Sequence, residues 1–216
     1  MDLKNKTVIF LGDSITEGVG ASAPEHCYVS RFAKSHPEAR VLNFGISGTR
    51  IALQMKPSLN SRWDKYFASR IDDMPKSADL VCIFGGTNDY GHGDAPFGSF
   101  GDKDGYTFSG ALYDLYSRLI NKYPEAKLAV FTPTHRTSEQ EPHAKPDGEY
   151  ILADYVARIR ETAEHFSIPT LDLWRTSLIQ PELEIHKALY MPDGVHPSDA
   201  GYARLAELVD NFIKSL

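Results

Sequence analysis

Five short runs, residues 7–11, 40–44, 79–84, 127–131 and 168–173, are apolar along most of their length and rich in branched side chains, and each gives way to turn-forming residues or a polar loop. A strand covered on one face alternates apolar and polar residues, whereas a run apolar throughout needs cover on both faces. Between these runs the apolar residues change period. Leu112, Leu115, Tyr116, Leu119 and Ile120 make one helical stripe, and Leu152, Val156, Ile159 and Ala163 make another. A last helix is predicted from Ser198, whose hydroxyl is placed to cap free amides after Pro197, with Tyr202, Leu205, Leu208, Val209 and Phe212 facing inward. Alternating strands and helices of this kind predict an α/β fold. The architecture is a three-layer α/β/α sandwich with a five-stranded parallel sheet and right-handed crossovers.

With 216 residues and 42% apolar side chains the chain fills one core, so residues 1–216 read as a single domain. The net charge of −6 argues against a nucleic acid or an anionic membrane as partner. The longest apolar stretches fall far short of the roughly 20 residues of a membrane span. The N-terminal segment enters the first strand without the longer apolar stretch and cleavage site of a signal peptide, which predicts a cytoplasmic location. Two cysteines, Cys27 and Cys82, do not make a disulfide framework, and Cys82 reads as a small buried thiol.

Ligands of an open parallel sheet bind beyond the carboxyl ends of its strands. Two turn-rich loops, 90–105 and 132–148, follow strands and are positioned to wall such a site. The first strand runs into Gly12-Asp13-Ser14-Ile15-Thr16-Glu17-Gly18, which puts Ser14 on the same rim. A helix capping box, Ser14-x-x-Glu17, accounts for the same residues, so the serine gains chemical meaning only beside a general base. Met191-Pro192-Asp193-Gly194-Val195-His196-Pro197 offers one: a tight turn that can aim Asp193 at one imidazole nitrogen and leave the other for Ser14. A solvated surface turn is the alternative. The second and third strands run into Asn43-Phe44-Gly45-Ile46-Ser47-Gly48 and Gly86-Thr87-Asn88-Asp89. There the amides of Ser14 and Gly48 and the side chain of Asn88 can serve as donors to a developing oxyanion. In isolation each segment would be a glycine turn with an Asn holding its own backbone.

Taken in order from residue 12 to 196, these four segments resemble the four blocks of the SGNH hydrolases, also called the GDSL esterase/lipase superfamily. The resemblance covers nearly the whole chain, with Ile15 where the family usually has Leu and Thr87 at a variable position. It implies a catalytic triad of Ser14 as nucleophile with Asp193 and His196. It also implies an oxyanion hole from Ser14, Gly48 and Asn88, and a flavodoxin-like sheet of strand order 2-1-3-4-5. The implied reaction is hydrolysis of a carboxylic ester through an acyl-serine, with no cofactor.

Candidate substrate-binding residues are Asp13, Tyr90, His92 and His135, with Arg136 beside the last. The remaining histidines lack metal-ligand spacing, so no metal is predicted. The polar, aromatic segment from 90 to 108 favours a short acyl group such as acetyl on a carbohydrate or another polar alcohol. Its Tyr90, Phe97, Phe100, Tyr106 and Phe108 would equally suit the apolar tunnel of a lipase, lysophospholipase or thioesterase. A catalytically inactive carbohydrate-binding domain is the reading outside enzymology. Gly18-x-Gly20-x-x-Ala23 fits a dinucleotide fingerprint, but Pro24 follows it and Gly12 has already ended the strand. Gly86-x-x-x-x-Gly91-His92 lacks the lysine of a P-loop, and the G-x-S-x-G elbow of α/β-hydrolases is absent. No feature of the sequence fixes the oligomeric state.

Overall fold

In a computed structural model, which describes residues Met1–Leu216, strands β1 (Thr7–Gly12), β2 (Arg40–Gly45), β3 (Leu80–Phe84), β4 (Lys127–Phe131) and β7 (Thr170–Leu171) pair in parallel in the order β2-β1-β3-β4-β7. This is the strand order that the resemblance implies. Alternate residues of the central strands feed two separate cores, which is why these strands are apolar throughout. Ile9, Leu11, Val81, Ile83, Leu128 and Val130 face helices α4 (Phe108–Lys122) and α5 (Leu152–His165). Val8, Phe10, Leu80, Cys82, Phe84, Ala129 and Phe131 face α2 (Tyr28–Ser35) and α8 (Asp199–Ser215). Leu112, Leu115, Val156 and Ile159 on one side and Phe32, Leu205 and Val209 on the other are at most 1% exposed. Each such side chain contributes roughly 1.5–3 kcal/mol by leaving water.

The register sets the place of the site. Gly12 lies opposite Gly45 and Phe84, Phe84 opposite Phe131, and Phe131 opposite Leu171, so the strands end nearly flush. Two short helices, α1 (Ser14–Glu17) and α3 (Thr87–Gly91), start just beyond the ends of β1 and β3.

Several local expectations are corrected. Ile120 leaves the α4 stripe and is 37% exposed. The last core strand shrinks to two residues because Pro169 cannot donate to the ladder and Asp172 already caps α6 (Leu173–Thr176). The segment 132–148 is not all loop: His143–Lys145 forms β5 and pairs with β6 (Gly148–Tyr150) in an antiparallel hairpin. On α8 the Ser198 hydroxyl accepts from the Gly201 amide, as the sequence predicts. Leu208 and Phe212 are half-buried there, and Ile213 takes the inner position. Helix α7 (Glu184–Tyr190) precedes the final turn, and no helix is long and apolar enough to cross a membrane.

Candidate active site

Ser14 is the first residue of α1, not its cap. The cap is Asp13, whose carboxylate accepts from the Ile15 amide at 3.0 Å. Glu17, the other half of the expected capping box, turns away and accepts from the Ser47 amide at 2.6 Å and from Arg62 at 2.5 Å. The Ser14 hydroxyl is therefore left for a tertiary partner.

That partner is His196. Its Nε2 lies 3.0 Å from Ser14 Oγ and its Nδ1 lies 2.7 Å from an Asp193 carboxylate oxygen. The other Asp193 oxygen accepts from the amides of Val195 and His196, at 2.9 and 2.6 Å, so the turn builds its own carboxylate–imidazole pair. Partial burial pushes the Asp193 carboxyl up, but these amides and the imidazole outweigh it and hold it below the usual range. A charged acceptor fixes the proton on Nδ1 and leaves Nε2 able to take the serine proton. The turn is itself docked: the Thr137 amide donates to Gly194 O at 2.9 Å, and Ser198 N donates to Tyr190 O at 2.8 Å.

Gly48 and Asn88 follow the ends of β2 and β3 on the same rim. Gly48 adopts φ +73°, a left-handed conformation open to glycine, and a Cβ there would meet the Trp63 indole at 2.4 Å. Asn88 is 8% exposed, and its Nδ2 donates one hydrogen to Thr49 O at 3.0 Å, leaving the second free. The Ser14 amide is in the first turn of α1, where no intrahelical acceptor exists.

Two buried polar side chains that sequence reasoning missed, Arg70 and Asp89, hold this rim together. The Arg70 guanidinium, 2% exposed, donates to Gly12 O, Phe44 O and Thr49 Oγ1 at 2.7–3.3 Å, tying the ends of β1 and β2 to the Gly48 loop. Burial lowers its pKa to about 10, so it stays charged at neutral pH. Asp89 accepts from the amides of Ile51 and Ala52 at 3.0 and 2.9 Å, fastening α3 to the same loop. Burial pushes its carboxyl up, against those amides and the nearby Arg50 and Lys145. The only sequence clue to Arg70 is a cation between the apolar residues Phe67, Ala68 and Ile71.

The four substrate-binding candidates separate. Asp13 is 2% exposed and serves as the α1 cap; burial raises its pKa to about 6, with His196 and Arg70 pulling the other way. Tyr90 is 1% exposed and its hydroxyl donates to Ser138 O and Glu141 O, so it anchors the 138–141 turn rather than lining the crevice. His135 is engaged by the buried Glu139 at 2.8 Å and lies tilted against Trp174, with ring centroids 3.9 Å apart, and the Glu139 contact raises its pKa. His92 remains exposed, with Nδ1 3.1 Å from Arg50 Nη1. Arg136 donates to Thr87 and lies over the Tyr90 ring. No three His, Cys, Asp or Glu side chains come together in a way that could hold a metal ion.

A solved structure 32% identical in sequence superposes on 100% of this chain and 99% of its own, with a TM-score of 0.86. A protein from Lactobacillus plantarum is 30% identical, with 99% of each chain covered and a TM-score of 0.82. A two-domain esterase active on acetylated mannans matches 98% of this chain with 49% of its own, at 22% identity and a TM-score of 0.65. No curated protein matches the chain. The model of the GDSL-like lipase/acylhydrolase family matches residues 10–204, a span that contains Ser14, Gly48, Asn88, Asp193 and His196, and the chain belongs to that family of carboxylic ester hydrolases.

Proposed function

We propose that this protein hydrolyses short-chain carboxylic esters, such as acetyl groups on a carbohydrate or another polar alcohol, through an acyl-Ser14 intermediate. The observation that carries the reading is the Asp193–His196–Ser14 relay, with contacts of 2.7 and 3.0 Å. His196 Nε2 takes the proton from Ser14 Oγ as that oxygen attacks the ester carbonyl. The amides of Ser14 and Gly48 and the free hydrogen of Asn88 Nδ2 receive the oxyanion. The imidazolium then gives its proton to the departing alkoxide, and water, deprotonated by the same nitrogen, releases the acid.

The preference for a short acyl group is supported by the fate of the aromatic loop. Phe97 stacks on Tyr150 at 4.3 Å and on Phe108 at 5.8 Å, and both phenyl rings meet Tyr155, so these residues fill space with one another. Phe100 and Tyr106 point outward, 48% and 67% exposed. An acetylated polysaccharide is the kind of substrate on which the structural neighbour acts. The acidic charge balance agrees with a neutral substrate better than with nucleic acid, and two buried, unbridged cysteines suit a reducing compartment such as the cytoplasm.

The test is labelling with a fluorophosphonate, followed by peptide mapping, alongside hydrolysis of acetyl, butyryl and octanoyl nitrophenyl esters. Modification of Ser14 and preference for the acetyl ester are expected. Labelling elsewhere or not at all defeats the mechanism, and preference for octanoyl moves the protein to the lipase or thioesterase reading. Sugar binding without turnover would leave only an inactive carbohydrate-binding domain.

A further inference from the structure

Trp63 and His92 stand side by side on the rim that carries Gly48, their ring centroids 5.3 Å apart. The indole lies so close to the Gly48 Cα that no side chain fits between them. Arg50, 3% exposed, holds the His92 ring and the main chain of Trp63. Its Nη1 donates to His92 Nδ1 at 3.1 Å, while Nη2 donates to Trp63 O at 3.3 Å, Ser58 Oγ at 2.7 Å and Asp64 at 3.0 Å. A guanidinium only donates, so His92 Nδ1 is an acceptor and the ring proton sits on Nε2. Although the residue is exposed overall, desolvation of the imidazole on its inner side, with Arg50, Arg136 and Lys145 nearby, holds His92 at about 4 and keeps that neutral tautomer at physiological pH. The wall thus presents two N–H groups, Trp63 Nε1 and His92 Nε2, that have no acceptor in the protein.

The tetrahedral centre on Ser14 has four directions. One is Oγ, one points to the oxyanion donors, and the leaving oxygen must face His196 Nε2 to collect its proton. The acyl carbon takes the fourth, away from His196, and the side left to it is the one where Trp63 stands against Gly48. We propose that Trp63 and His92, positioned by Arg50, form the end wall of the acyl subsite and set its length limit, an inference that rests on the ester-hydrolase reading above. A long alkyl chain would have to displace the indole or cover both N–H groups without offering them an acceptor, and either is unfavourable. An acetyl group, with a single carbon beyond the carbonyl, makes the least demand on that wall.

The experiment compares wild type, Trp63→Ala and His92→Ala in the full-length protein, reading kcat/KM for nitrophenyl acetate, butyrate and octanoate together with fluorophosphonate labelling. The octanoate-to-acetate ratio is expected to rise about 10-fold or more in Trp63→Ala and by less in His92→Ala. Should Trp63→Ala fail to fold, Trp63→Phe keeps an aromatic face against Gly48 while removing the fused ring and its N–H, and the ratio is expected to rise there too. A ratio equal to wild type in folded variants that still label at Ser14 overturns the wall, and so does a wild type that already prefers octanoate. A wild type that neither labels nor turns over any of the three esters is a different result, the failure of the mechanism itself.

Discussion

His196 Nε2 lies 3.0 Å from Ser14 Oγ although 182 positions separate the two residues. Ser14→Ala should lower kcat on the order of 10⁶-fold, as removal of a triad nucleophile does, without changing the far-ultraviolet circular dichroism. His196→Ala should fall nearly as far. Turnover within tenfold of wild type in either variant would mean that the contact is structural.

Asn88 combines a free hydrogen on the rim with a bond to Thr49 O. Asn88→Ala should reduce kcat by about 10²–10³ with a much smaller change in KM, because the donor acts on charge that develops only in the transition state. A rise in KM at constant kcat would instead make Asn88 a ground-state binding residue.

Asp13 gives a pH prediction of definite sign. Its folded pKa of about 6 lies above the ordinary 3.8, so between those values the unfolded chain has released a proton that the folded one keeps. Stability therefore falls as pH rises from about 4 to 6 and stays lowered above that. Asp13→Asn retains an acceptor for the Ile15 amide and removes the buried charge. It should raise Tm at pH 7, by an amount corresponding to at most about 3 kcal/mol, with the difference closing near pH 4. The variant also separates Asp13 from the base: only a neutral imidazole can take the Ser14 proton, so kcat/KM should fall in acid, and the loss should persist in Asp13→Asn if His196 is the base. Thermal melts across that range and one pH–rate profile decide both points, and a Tm difference that grows toward pH 4 would contradict the assignment.

Arg70 joins three segments whose relative placement the reaction needs. Arg70→Ala takes the guanidinium donor from Phe44 O and leaves Gly12 O with the Ile46 amide alone, and should cost about 1–3 kcal/mol, read as a lowered urea midpoint, with kcat lowered at temperatures where the protein is still folded. Arg70→Lys keeps the charge but cannot span the same acceptors, so it should recover only part of either loss. A midpoint unchanged in Arg70→Ala would show the clamp to be dispensable.

Much of this molecule was legible in one dimension because the relevant physics is local. Strands apolar on both faces, such as Val81-Cys82-Ile83, state that they are covered on both sides, and the Asp193–His196 pair forms within four residues. The Ser198 cap and the inward residues of α5 were readable for the same reason. What failed was polarity whose partner lies far along the chain. Tyr90 carries an aromatic ring beside a site motif, yet its hydroxyl is drawn inward by carbonyls 48 and 51 positions away. Asp13 looked like a group for substrate and is a buried cap, while Arg70 and Arg50 gave almost no signal at all.

The sequence by itself determined the layered α/β architecture, the strand ends that carry glycine next to polar groups, and the chemical types of the candidate site side chains, since periodicity and turn chemistry act over a few residues. Only the tertiary structure decided which of those side chains meet. Flush parallel strands bring residues from both ends of the chain to one rim, and buried cations hold that rim in place through carbonyls that no sequence pattern marks.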